Sequence, residues 1–176
     1  GTVVDLDVAG SLTVNEAVSA GTSLTFDTTN NVTVSAAVQA ASGLAIVAGS
    51  DTSGGITVTG TGSLRTTGAN ADISLTTGTA SGNVTLAGDV TSADDLTIST
   101  FAGGTVNQTA GTIVADLELL GAATVTLNSA TNNFGTVAAN LSPGSVSLTD
   151  TNNVIVGAVG TATGIVTGGA SNGGAL

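Results

Sequence analysis

The chain contains no cysteine, histidine, methionine, tryptophan or tyrosine, and it has one cationic side chain, Arg65, and one proline, Pro143. Without His, Cys, Lys or Tyr it has no ordinary general base near neutral pH, no activated nucleophile pair, and no imidazole or thiolate metal site. No catalysis is expected. Twelve carboxylates against one cation give a formal net charge of −11, which repels a phosphate backbone or an anionic lipid surface over the whole molecule. Nucleic acid is therefore not an expected partner. The most apolar stretch, residues 36–49, is interrupted by Gln39, Ser42 and Gly43 and falls short of the roughly 20 residues a spanning helix needs, so no membrane insertion is expected. No basic segment leads into an apolar one at the N-terminus, and the chain reads as a processed or excised segment. The absence of cysteine leaves the redox compartment open.

What the chain does have is small side chains and alternation. Its 176 residues, one domain's worth, are 41% hydrophobic and include 26 glycines; a disordered chain would lack that apolar content. Apolar–polar–apolar triplets recur along the whole length, among them Val4-Asp5-Leu6, Leu12-Thr13-Val14, Leu24-Thr25-Phe26, Val32-Thr33-Val34, Leu44-Ala45-Ile46 and Ile56-Thr57-Val58. This is the pattern of half-buried strands. Every second triplet forms one series (Val4, Leu24, Leu44, Leu64, Val84, Val106, Val125, Val146, Ile165). The interleaved series is Leu12, Val32, Ile56, Ile73, Leu96, Leu117, Phe134 and Val154. The reading is an all-β, right-handed parallel β-helix, or β-solenoid, over residues 4 to 166, forming one repeat domain within 1–176. It has two strands and about 20 residues per coil and eight to nine coils. Leu24, Leu44 and Leu64 are expected in one inward ladder. Small residues suit the space between sheets about 10 Å apart, and Gly and Asn supply the corners.

The stretches Asn132-Asn133-Phe134-Gly135-Thr136-Val137, Gly144-Ser145-Val146-Ser147-Leu148-Thr149-Asp150 and Asn152-Asn153-Val154-Ile155-Val156-Gly157 resemble the repeats of filamentous-haemagglutinin-like exoproteins and related adhesins of Gram-negative bacteria. The match runs over roughly Thr105 to Gly168 and elsewhere rests on composition and spacing. The resemblance implies an extracellular or cell-surface shaft for cell adhesion. It also implies display toward a host or surface receptor that no motif identifies.

Three constellations are candidates for more than structure. The residues before the strands of the second series, Ser11, Asn31, Gly55, Asp72, Asp95, Asp116, Asn133 and Asn153, suggest a single corner column whose side chains cap their own backbone. Within it Asp72, Asp95 and Asp116 are expected on consecutive coils, where stacked carboxylates repel and Ca²⁺ would relieve the repulsion. Outward Thr and Ser positions suggest a flat hydroxyl face over five coils, with Thr13, Thr33, Thr57, Thr59, Thr76 and Thr97 as its principal members. Such a face is similar to the ice-binding surface of antifreeze solenoids and is the alternative function, binding to ice or another regular surface. The carboxylate pairs Asp5/Asp7 and Asp116/Glu118 have the two-acid logic of glycosidases, but with only three phenylalanines the chain lacks stacking platforms for a sugar ring. Asn31, Asn83, Asn107 and Asn140 head Asn-x-Ser/Thr sequons. Neither end carries a helix, a proline or a polar capping repeat, so end-to-end contact with identical chains or with further repeats of the same shaft is expected.

Overall fold

The structure, a computed structural model, describes residues 1–50, 53–78, 82–101, 103–121, 124–141 and 143–168. The described residues are all-β, with no helix, and form a parallel β-solenoid of about 7 turns with roughly 21 residues per turn. Each turn has three strands, not two, and so three faces. Face one holds Val4–Val8, Ser23–Thr28, Gly43–Ala48 and Asp72–Thr77. Face two holds Leu12–Val14, Val32–Val34, Ile56–Val58, Val84–Leu86, Thr105–Gln108, Thr124–Leu127 and Ser145–Leu148. Face three holds Val18–Ala20, Ala37–Ala40 and Ser63–Thr66. From the fourth turn on, the longer strands Asp89–Ser99, Ile113–Leu120 and Asn133–Asn140 run round a corner and serve face three first and face one second. The register shifts between Thr91 and Asp95 and between Ala115 and Leu117 mark that corner, where a bulge turns the strand.

The inner columns are apolar because each strand alternates across its pleat. On face one the column runs Val4, Leu24, Leu44, Ile73, Leu96, Leu117, Val137, Val156. On face two it runs Leu12, Val32, Ile56, Val84, Val106, Val125, Val146. These columns merge into one hydrophobic cluster along the solenoid. Corner chemistry is equally repetitive. A Cβ on Gly62 would strike the Val34 carbonyl oxygen, and one on Gly88 would strike that of Gly62, so successive coils pass too closely there for any side chain.

Two expectations need correction. Leu24 and Leu44 do stack, but Leu64 lies on face three between Val38 and Val90, and Leu44 is followed by Ile73. The step along the face-one column is 20, 20, 29, 23, 21, 20 and 19 residues. The long turn from Leu44 to Ile73 inserts residues between faces, and counting alternate triplets slips there from one face to another. That slip, with the unseen third strand, turned about seven coils into eight or nine.

Candidate functional site

The corner residues divide by face. Ser11, Asn31, Gly55 and Asn83 precede face two, Asp72, Asp95 and Asp116 line the entry to face one, and Asn133 opens the long strand on face three; the single column expected from the sequence does not form. Their chemistry also differs from self-capping, because Asn31, Asp72, Asn83, Asp89 and Asp116 each cap the next coil. Asn31 Oδ1 accepts the Gly55 N–H at 2.8 Å, Asp72 Oδ1 that of Asp95 at 3.3 Å, and Asn83 Oδ1 that of Thr105 at 2.9 Å. Asp89 Oδ1 accepts the Thr112 N–H at 2.9 Å and Asp116 Oδ1 that of Thr136 at 2.6 Å. At a corner the backbone turns out of the ladder, and a side-chain oxygen replaces the carbonyl that the next N–H has lost. Gly135 completes the last of these, since a Cβ there would collide with the Asp116 carboxylate.

The three aspartates expected on consecutive coils do stack: Asp95 pairs in register with Asp116, and Ile73 with Leu96 sets Asp72 below Asp95. The tightest acidic group, however, is Asp94, Asp95 and Asp116, which can bring one carboxylate oxygen each within 4.8 Å of the others. Asp94 and Asp116 border a shallow groove of about 290 Å³. Burial first, then the charges of Asp94, Asp72, Asp116 and Glu118, push the Asp95 carboxyl above the ordinary aspartate range. Three such oxygens are of the hard type that Ca²⁺ takes, but two of the stacked aspartates already hold corner N–H groups.

Glu118, singled out in the sequence as one of a carboxylate pair, has a different role in the structure. It sits outward on face one yet is 3% exposed, because residues 157–164 fold over it. Ile155–Val156 and Ile165–Val166 both pair with Asn133–Asn140. Between them Ala158–Val159 and Ala162–Thr163 make an antiparallel hairpin. Glu118 Oε1 accepts from the Thr161 N–H (2.6 Å), the Thr161 hydroxyl (2.8 Å) and the Ala162 N–H (2.9 Å), and Oε2 accepts from the Thr97 hydroxyl (2.9 Å). Burial acts to raise its pKa, and the bonds from Thr161, Thr97 and Ala162 outweigh it and hold the carboxyl below the ordinary glutamate range. Ala138, Val159 and Ala162 bury a small second core beneath the hairpin with Leu120 beside it. With both oxygens of Glu118 committed, the Asp116/Glu118 pair does not present two free acids. The signal available in the sequence was Glu118 itself, a charge breaking an otherwise hydroxyl-rich outward column.

The hydroxyl face also divides. Thr13, Thr33 and Thr57 stack at the centre of face two, with Thr59 just past the end of the Ile56–Val58 strand. Thr76 and Thr97 lie on face one, in neighbouring columns. The unbroken column on face two is instead Thr13, Thr33, Thr57, Thr85, Asn107, Thr126, Ser147. Neither these seven residues nor those immediately flanking their strands carry a charge. In a chain of net charge −11, the carboxylates of the described residues fall on the other faces and corners. Of the three phenylalanines, Phe26 and Phe134 are buried and Phe101 is exposed.

No family model, no curated protein and no solved structure matches this chain.

Proposed function

We infer that this chain is a length-giving segment of an extracellular β-solenoid shaft or filament of the adhesin type, displayed at a cell surface and performing no catalysis. The observation that carries the reading is the stack itself. Three parallel faces repeat over about seven turns, with an apolar interior and with five corner side chains serving the next coil. Nothing in that plan sets a length. Its periodic hydrogen bonding spends residues on reach and stiffness, as a solenoid shaft does. The likeness of residues 105–168 to filamentous-haemagglutinin-like repeats supports the extracellular setting.

The two end coils support continuation. At one end Val3 is 65% exposed and Leu6, in the inner column above Phe26, is 40% exposed. At the other, Ile155 and Val156 are 63% and 55% exposed. Of these, Leu6 and Val156 hold inner-column positions, and another coil stacking on either end would cover them. End-to-end contact, covalent or between copies, is the partner this reading names. Ice adsorption, the alternative, needs a plane several columns wide, and the hydroxyl column of face two is a single strand triplet across.

Light scattering over a concentration series, with negative-stain microscopy, tests the reading. About seven coils at about 4.8 Å each make a unit of about 34 Å. The expected result is rods that lengthen with concentration. Leu6→Lys combined with Val156→Lys, which puts a charge on the inner column at each end, is expected to leave single units. A wild-type chain that stays monomeric at every concentration contradicts assembly through the ends.

A further inference from the structure

We propose that face two binds an extended, neutral polysaccharide, seated along a groove that crosses the second, third and fourth coils. This goes beyond the shaft reading and stands or falls separately from it. The groove has a volume of about 530 Å³ and is lined by Asn31, Thr33, Thr57, Asn83 and Thr85, with the Ser53–Gly55 turn as one wall. Its floor is the part of the hydroxyl column where Thr33, Thr57 and Thr85 stand in register. The wall exists because the turn between Leu44 and Ile73 is 29 residues long. The irregularity that breaks the repeat in the sequence therefore builds the concavity in the fold.

Two independent features point to the chemistry of the ligand. The first is an inventory of unused hydrogen-bonding groups. Among the described residues, the hydroxyls of Thr33, Thr57 and Thr85 have no intramolecular partner. The Asn31 carbonyl oxygen is held by Gly55 N–H, and that of Asn83 by both the N–H and the hydroxyl of Thr105 at 2.9 and 2.8 Å. Because those partners are donors, the oxygen assignments are fixed and each Nδ2 amino group is left to donate to the groove. Three hydroxyls that donate and accept, and two amides that donate, match the vicinal hydroxyls of a sugar ring, which do both.

The second feature is charge. The whole of face two is uncharged while the molecule carries −11. An anionic polymer is repelled by the molecule at large, and a cation is drawn to the carboxylate faces instead. An apolar ligand finds no apolar lining. What remains is a neutral polar chain, and the column offers it a track: six inter-coil steps from Thr13 to Ser147 are about 29 Å at the usual strand spacing. Without aromatic platforms each sugar ring is held by hydrogen bonds alone. Binding therefore depends on contacts repeated along one polymer, and short oligosaccharides bind far more weakly.

Native affinity electrophoresis of the intact chain tests this, because its net charge drives migration. Gels are cast with a galactomannan, a mixed-linkage β-glucan or dextran, with alginate as the anionic control. At least one neutral polymer is expected to retard the protein, while alginate and the matching disaccharides do not. Thr33→Val, Thr57→Val and Thr85→Val together keep the β-branched shape and remove the hydroxyls, and are expected to weaken retardation fivefold or more. Thr57→Val alone gives a partial loss and serves if the triple variant does not fold by circular dichroism. Thr91→Val, on face three, leaves retardation unchanged. The proposal is overturned if no neutral polymer retards the wild type, or if the Val variants migrate as it does. It is also overturned if those hydroxyls instead govern self-association or the shaping of ice crystals.

Discussion

Replacing Leu44 by Asp abolishes cooperative folding. Leu44 is 2% exposed and stacks between Leu24 and Ile73 in the face-one column, in a dry interior with no cation, since Arg65, the chain's one cationic side chain, is outward and exposed. Truncating a buried leucine alone costs about 2–5 kcal/mol. A buried carboxylate without a partner adds a penalty of several kcal/mol, or must take up a proton to avoid it. Against a total stability of about 5–15 kcal/mol, the sum removes most of the margin. Because the coils share one core, the damage spreads in both directions from the third turn. Ala45→Asp, one residue on and outward between Thr25 and Ser74, is the control and costs about 1 kcal/mol or less. Urea unfolding followed by circular dichroism measures both.

Asn132→Ala destabilises the chain by about 3 kcal/mol or more. Asn132 is fully buried and makes five hydrogen bonds. Its Nδ2 donates to Gln108 Oε1 at 2.8 Å and to the carbonyl oxygens of Leu127 and Thr149, and its Oδ1 accepts from Gln108 Nε2 at 2.8 Å and from the Ile113 N–H at 2.9 Å. The two side-chain amides thus satisfy each other inside an apolar column, where Gln108 takes the place held by Leu86 one coil below and Leu127 one coil above. Removing Asn132 takes two hydrogen bonds from Gln108, which keeps the Gly111 carbonyl and the Ser129 N–H, and strands the buried Ile113 N–H; each buried group left without a partner costs about 1–3 kcal/mol. Gln108→Leu on its own restores the apolar column and leaves Asn132 with its bonds to Ile113, Leu127 and Thr149, so it is expected to cost less than Asn132→Ala. The double change Gln108→Leu, Asn132→Ala is expected to recover part of the loss, so the pair's coupling is measurable by a double-mutant cycle of melting curves.

Much of the architecture was legible in the residues. Alternating triplets gave the strands, and their recurrence gave the coil; from Val4 through Leu44 on face one, and from Leu12 through Ile56 on face two, the sequence-derived stacking is the structural one. Asp72, Asp95 and Asp116 stack as expected because all three lie beyond the long turn. The third face was hidden by its composition. Its inward positions include Ala20, Ala40, Thr66 and Ser92, and small or hydroxylated side chains at a corner of a narrow core do not produce the large–polar–large signature. Thr66 and Ser92 are buried because their hydroxyls bond to Ala71 O at 2.7 and 3.2 Å, a local satisfaction no pattern announces. The Gln108–Asn132 pair escaped for a related reason: two amides 24 residues apart look like surface residues until the coil places them face to face. The groove of face two was half visible, as a Thr column whose true continuation after Thr57, Thr85 rather than Ser74, depends on the 29-residue turn.

The register across that turn carries the whole account, from the three-faced shaft to the groove, and disulfide trapping tests it most directly. The chain has no cysteine of its own, so an introduced pair reports without competition. In this structure Ala45 lies beside Ser74 on adjacent parallel strands, whereas two-strand coils would set Ala45 beside Arg65. Neighbours in a parallel ladder are about 4.8 Å apart, within the 4.4–6.8 Å that a disulfide spans between Cα atoms. Under mild oxidation at low protein concentration, Ala45→Cys with Ser74→Cys is expected to close an intramolecular disulfide, seen as a mobility shift that a reductant reverses, while Ala45→Cys with Arg65→Cys stays open. Closure of the second pair and not the first would contradict the three-faced solenoid.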